Sequence, residues 1–234
     1  MKKILIIAKK ELGSYFTSSM AYVILLLTIS AFNFFFFLLI DQDREASLRD
    51  MFLLMEFMFI FIVPLLTMRT FAQEKQAGTL EFLMTSPVTN TEIVLGKYLG
   101  NLFFLSILIG LTLLYYAIIE FFSDTDTLAV IAGYSGIWLE AAFFSALGIL
   151  ASSWTRNQLI SAISTYTILL FLYLAPALVK FTGKDTAPLF DFLCFSTHLK
   201  SLSSGLVLSS DIIYFVSAVI FCLAATRISI ENRL

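Results

Sequence analysis

Six long apolar runs punctuate the chain, at roughly 19–40, 51–70, 91–120, 128–152, 158–179 and 211–227. Each run is continuous rather than alternating, which predicts a helix and not a barrel strand. Each is also about as long as a ~30 Å hydrocarbon core demands of a spanning helix. The pattern therefore predicts an all-α membrane protein with six transmembrane helices. Pro64 falls inside the second run, where a missing amide donor predicts a kink or local unwinding. The fourth run is rich in Gly, Ala and Ser, the composition of a helix buried among other helices.

Three polar stretches carry structure of their own. Over residues 2–17, Ile4, Leu5, Ala8, Leu12, Tyr15 and Phe16 share one helical arc, and Lys2, Lys3, Lys9 and Lys10 share another. That pattern predicts an interfacial helix with its lysines toward anionic headgroups, with Ile6 and Ile7 off the apolar arc. Residues 180–210 are half apolar. Their apolar pieces, Leu189–Phe195 and Leu199–Leu208, are too short to span and predict interfacial or re-entrant helices on the outer side. Ser210 or Asp211 would cap the last span, and His198 reads as an interfacial histidine.

The third stretch, Met68 to Gly100, organises the rest. Glu74, Lys75, Gly78, Thr79 and Glu81 precede a short greasy patch of Leu80, Phe82, Leu83 and Met84, and Pro87 ends any helix there. Thr89 and Glu92, three apart before Ile93, Val94 and Leu95, form a capping-box signature for the next span. One amphipathic helix over 74–87, within a loop over 71–90, is expected between spans two and three.

The sequence Glu74-x-x-x-Gly78-Thr79-x-Glu81-x-Leu83, followed by Pro87 and then Gly96-Lys97-Tyr98, resembles the cytoplasmic loop of ABC-2-type transporter permeases. The likeness is greatest to the six-span permeases of the gliding-motility type. The resemblance runs over most of the chain and makes 1–234 a single ABC-2-type transmembrane domain. It implies the membrane subunit of an ABC exporter in the bacterial inner membrane, whose loop holds a coupling helix for a separate cytoplasmic ABC ATPase. Glu74, Gly78, Thr79, Leu80, Glu81, Phe82, Leu83, Met84 and Pro87 would form that contact. A second permease copy or a related permease would complete the membrane domain, with an accessory membrane or periplasmic subunit as a further partner. Membrane lipid surrounds all of it.

Composition agrees with membrane residence. The chain is 59% hydrophobic and 14% charged, with a mean hydropathy of +0.90; a soluble domain so apolar would aggregate. A net charge of −2 offers no basic field for nucleic acid. Cys194 and Cys222 lie too far apart for a Cys-x-x-Cys site, and no metal site is expected. Orientation follows from Lys and Arg placement. Lys2, Lys3, Lys9, Lys10, Arg69, Lys75, Lys97, Arg156, Arg227 and Arg233 fall on the side of the termini, against Arg44, Arg49, Lys180, Lys184 and Lys200 on the other. Both termini and the 71–90 loop are thereby placed in the cytoplasm.

No P-loop is present. The Gly-Lys pairs Gly96-Lys97 and Gly183-Lys184 lack both the glycine five residues before and the Ser or Thr after. The chain is expected to be non-catalytic and to bind no cofactor, with ATP and Mg in the partner ATPase. Glu56 and Glu140 fall within spans two and four, where a carboxyl group faces a partner helix or a wet path, or is protonated. Gly96-x-x-x-Gly100, and Gly133 with Gly136, suit close helix packing. Two other readings fit parts of the sequence. A membrane anchor or mechanical element of a motility or secretion assembly would use the same ATPase contact without moving a solute. Gly133-Tyr134-Ser135-Gly136 also matches the Gly-x-Ser-Gly of rhomboid proteases, with His198 as the one available base, although packing by small residues accounts for the same four positions.

Overall fold

The computed structural model describes residues 2–42, 48–80, 88–122, 126–178 and 187–231. The order is α1 (Lys2–Thr17), α2 (Ser19–Gln42), α3 (Leu48–Thr67), α4 (Ala72–Gln76), α5 (Asn90–Phe122), α6 (Thr127–Trp154) and α7 (Gln158–Leu174). A 3₁₀ turn (Ala175–Leu178) follows, then α8 (Ala187–Leu193), α9 (Phe195–Ser203) and α10 (Ser209–Glu231). No strand occurs among the described residues. Six segments are long and apolar enough to cross a membrane: Ser19–Leu38, Leu48–Gln76, Asn90–Phe121, Thr127–Trp154, Gln158–Ala177 and Ser209–Glu231. The protein is an all-α, six-span membrane protein.

The central element is α6. Every residue from Glu140 to Ser153 is buried, and α3, α5, α7, α9 and α10 all pack against it. Small side chains make this possible. A β-carbon on Gly133 would sit 2.1 Å from Phe52 Cε2, and one on Gly148 would sit 2.0 Å from Thr67 Oγ1. The bare backbone lets α3 cross α6 within contact distance at both ends. At the periphery, Phe34, Phe37, Phe121, Ile213 and Phe221 are exposed apolar side chains. The four-phenylalanine run is divided in use, because Phe36 turns inward onto Tyr115 at 4.6 Å between ring centroids.

Helix starts follow local chemistry. At α5, the Thr89 amide donates to Glu92 Oε2 at 3.0 Å and the Glu92 amide donates to Thr89 Oγ1 at 3.3 Å, a reciprocal capping box. Asp126 caps α6 and Asn157 caps α7 through their side chains. α3 stays helical through Pro64, so of the kink or local unwinding expected there the unwinding is absent. One turn before it, the Tyr166 hydroxyl of α7 donates to the Phe61 carbonyl at 2.8 Å, where the proline weakens the ladder.

At the opposite end from α1 and α4, the two short helices expected before the last span are present as α8 and α9, and it is the placing of His198 and Asp211 that needs correction. α9 is inside the bundle, with Phe195, Leu199 and Leu202 fully buried. A β-carbon on Gly136 would meet Leu199 at 2.9 Å and Leu202 at 3.0 Å, so α9 seats on α6 at that glycine. His198 is buried, not interfacial, and stacks on Tyr214. Its Nδ1 lies 2.8 Å from Asp211 Oδ1 and its Nε2 lies 3.0 Å from the Phe192 carbonyl. Asp211 therefore does not cap α10 with its side chain; it turns inward to His198 and to the hydroxyl of Ser201. Gly205, at φ +83°, closes α9 where an L side chain would be strained. Burial pushes the nearby Cys194 thiol above its ordinary range.

Candidate functional site at the junction of α1, α4 and α5

Where α3 ends, the chain turns over Met68–Phe71 and enters the short α4. The turn is held by one hydroxyl at the end of α6. Ser152 Oγ accepts from the amides of Phe71 and Ala72, both at 3.0 Å, and donates to the Met68 carbonyl at 3.1 Å. That uses the full capacity of one serine and satisfies amides at the start of α4. Lys75 Nζ donates to the Ser153 carbonyl beside it.

α1 closes the junction from the other side by packing on α5. The seat is Gly96-x-x-x-Gly100: added β-carbons there would each lie 2.6 Å from a β-carbon of α1, that of Ile7 and that of Glu11 respectively. Ile7, off the apolar arc in sequence, is thus a packing residue, while Leu5 and Ile6 stay exposed. Of the arc itself, Ala8 and Tyr15 are buried in protein. The Tyr15 hydroxyl donates to Asn101 Oδ1 and lies 3.1 Å from the Leu66 carbonyl, and Asn101 Nδ2 donates to Thr70 Oγ1 at 3.1 Å. Burial, followed by the Glu11 charge, holds the Tyr15 phenol above the usual tyrosine range.

Lys97 joins the three elements. Its ammonium lies 2.8 Å from Glu74 Oε1 and 3.2 Å from Glu11 Oε2, with its side chain only 3% exposed. It also sits 5.3 Å from the Phe71 ring centroid. A lysine this far from water needs a compensating charge, and here one carboxylate comes from α1 and the other from α4. Arg69 Nη1 donates to Ser18 Oγ at 3.0 Å and ties the turn to the start of α2. Between α1 and the turn lies a cleft of about 520 Å³, lined by Lys10, Glu11, Arg69, Gln73, Glu74 and Lys97 among others.

The helix expected over 74–87 is not one unbroken rod. α4 stops at Gln76, Ala77 and Gly78 turn with Gly78 at φ +70°, and helical geometry resumes at Thr79 and Leu80. Glycine takes that left-handed conformation without the Cβ clash that ends a helix elsewhere. Thr79 Oγ1 reaches back to the Glu74 carbonyl at 3.4 Å. Leu80 is buried. Glu81, Phe82, Leu83, Met84 and Pro87 lie outside the described residues.

The remaining residues singled out in the sequence fall elsewhere. Glu56 and Glu140 are buried in the bundle on α3 and α6, and Gly133 and Gly136 receive Phe52 and α9 as described above. The serine–histidine arrangement does not form: Ser135 donates to the Ala132 carbonyl in its own helix, and both ring nitrogens of His198 are engaged by Asp211 and Phe192. Sequence reading passed over Glu11, Tyr15 as a polar contact, Asn101 and Ser152. A lone acid in a basic helix, opposite a lone lysine just inside an apolar span, was the available signal for the pair Glu11 and Lys97.

The described helices make a six-span membrane domain with a polar junction at one end. The family model for the ABC-2 family transporter protein matches residues 5–226, nearly the whole chain. The chain belongs to that family: it is the permease subunit of an ABC transporter, a class that works with an ABC ATPase and is generally not itself catalytic. No curated protein matches it.

Proposed function

We propose that this permease couples ATP hydrolysis by a separate cytoplasmic ATPase to export of a substrate from the cell. The observation that carries the reading is the Lys97 bridge. One buried cation holds Glu74, at the start of the 71–90 loop, and Glu11 of α1 to the base of α5. A push delivered to the loop is thereby shared by α1, α3 and α5 as a rigid-body movement. Phe82, Leu83 and Met84 fill a groove in the ATPase, with Glu81 at its rim and Pro87 ending the contact, while the buried Leu80 anchors the loop to its own chain. Glu74, Gly78 and Thr79 shape the approach. The junction faces the cytoplasm with both termini, and the chain resides in the bacterial inner membrane. Two permeases, identical or related, form the translocation path. ATP and Mg are bound by the ATPase, and this chain contributes no cofactor. Transport follows if the ATP-bound and free states differ in their affinity for substrate on the two sides.

The test is co-purification in mild detergent, with the neighbouring genes expressed. A P-loop ATPase should elute with the wild-type chain and be released by Leu83→Asp. Intact wild-type chain that elutes alone, even after crosslinking, would remove the coupling reading.

A further inference from the structure

The cleft between α1 and the Met68–Phe71 turn has a size and a charge pattern that the Lys97 bridge does not explain. At about 520 Å³ it falls within the roughly 300–1,000 Å³ of sites that hold small ligands. Lys97 is shared by Glu11 and Glu74, so two carboxylates around one ammonium leave one negative charge over. Arg69 carries the opposite imbalance. Its guanidinium is half-buried and donates through Nη1 only to the neutral Ser18 Oγ. No carboxylate pairs with it among the described residues. Lys10, exposed, lines the same cleft and adds to the positive side.

Two buried atoms mark the two poles. Arg69 Nη2 and Glu74 Oε2 find no hydrogen-bond partner among the described residues. A guanidinium nitrogen can only donate, and a carboxylate oxygen can only accept. Leaving either unmet is costly. Arg69 and Glu74 line one cleft, yet they form no ion pair with each other. A ligand that is only an anion meets Arg69 alone, and one that is only a cation meets Glu74 alone. A ligand that carries an anion and an N–H cation a short distance apart meets both.

The cleft lies at the edge of the membrane. Ser18 immediately precedes the first spanning segment, Ser19–Leu38. Phe16, Tyr22 and Val23, near it in sequence, are exposed apolar side chains on which acyl chains can lie. A membrane lipid with the required headgroup is one ending in phosphoethanolamine, whose phosphate and primary ammonium are joined by an ethylene link. A choline headgroup has the same charges, but its quaternary nitrogen has no N–H to donate. A phosphoglycerol headgroup has no cation.

We propose that the cleft between α1 and the Met68–Phe71 turn binds the phosphoethanolamine headgroup of a membrane lipid. Arg69, with the Ser18 hydroxyl and Lys10, takes the phosphate. Glu74 takes the ammonium through the oxygen that Lys97 does not use. The lipid then ties the turn to α1 beside the Lys97 bridge. Its place in the cytoplasmic leaflet rests on the orientation proposed above; the binding itself does not.

The experiment is native mass spectrometry of the full chain released from detergent. The chain is titrated in parallel with short-chain phosphatidylethanolamine, phosphatidylcholine and phosphatidylglycerol. The ethanolamine lipid should bind about tenfold more tightly than the choline lipid, the difference made by one charged hydrogen bond. Glu74→Gln should remove that preference, Arg69→Gln should weaken both lipids, and Lys200→Gln, at the opposite end, should change neither. Equal affinity of wild type for ethanolamine and choline lipids would overturn the proposal. A preference for the glycerol lipid would replace it with a simple anion site. Displacement by free phosphoethanolamine at the same concentration would remove the lipid as the occupant. Glu74 also holds Lys97, so its variant can fail to fold. The wild-type preference and Arg69→Gln then decide: undiminished binding in Arg69→Gln would sink the idea. Neither ATP nor an ATPase takes part, so failure here leaves the permease reading untouched, and loss of the ATPase contact would leave the lipid preference in place.

Discussion

Lys97 shows how one side chain can set the position of three segments. Removing its charge while keeping its length, as in Lys97→Met, leaves Glu11 and Glu74 facing each other without their shared cation. Breaking a buried ion pair from one side is strongly destabilising, and a loss on the order of 3 kcal/mol is expected in denaturant unfolding of the detergent-solubilised chain. A loss near zero would mean that water reaches the junction freely. Tyr15 gives a second handle. Its phenol is held above the usual range by burial, so the neutral form is favoured in the fold. The stability it contributes is complete below the ordinary tyrosine value of about 10 and is lost as pH rises through the higher folded value. The stability difference between wild type and Tyr15→Phe should therefore be flat below about pH 10 and decline above it. A pH-independent difference would contradict the burial of that hydroxyl.

Among the elements, the break between α4 and the helical turn at Thr79 has a backbone cause. Gly78 is exposed, nothing lies within 4 Å of an added β-carbon, and its φ is +70°. Gly78→Ala should consequently cost about 1–2 kcal/mol through conformation alone, and on the proposed coupling should also weaken capture of the ATPase by favouring a straight helix. Gly13→Ala is the control: the site is equally open but helical, and the change should be neutral or stabilising by up to about 1 kcal/mol. Equal effects at the two positions would show that the turn at Gly78 is not held in the folded protein. α1 carries a related lesson. Its amphipathic pattern suits a membrane surface, but Gly96 and Gly100 offer α1 a closer partner than lipid, and Ile7 rather than the arc residues enters that seat.

At the scale of the whole molecule, the bundle is built outward from α6, and its two ends differ in chemistry. One end gathers Glu11, Arg69, Glu74, Lys75 and Lys97. The other holds the His198–Asp211 pair and the short helices α8 and α9. The proposed orientation puts the first end in the cytoplasm. A cysteine at Gln76, introduced into a chain with Cys194 and Cys222 replaced, should react with an impermeant maleimide only in opened spheroplasts. One at Leu208 should react in intact spheroplasts. Both positions are exposed, so the reverse labelling pattern would invert the topology and remove the ATPase contact from the proposed side.

The span count, the helical class, the α5 capping box and the family were all legible in the sequence. Each depends on run length, local spacing or a short motif, properties that a chain carries before it folds. The break at Gly78 in the helix expected over 74–87 is not legible in the sequence, because amphipathic spacing does not report the φ that a glycine adopts. His198 and Asp211 were misplaced for another reason. A polar segment between spans reads as interfacial until a partner is known, and the partner here is a residue thirteen positions away that only the packing of α9 beneath α10 brings within 2.8 Å. The same holds for Ser152 beneath the Met68–Phe71 turn and for Glu11 beside Lys97. Sequence decided which segments are helices and which are apolar enough to enter a membrane. Tertiary structure alone decided which polar groups meet, because a buried charge or hydroxyl is satisfied by whatever the packing of distant helices places next to it.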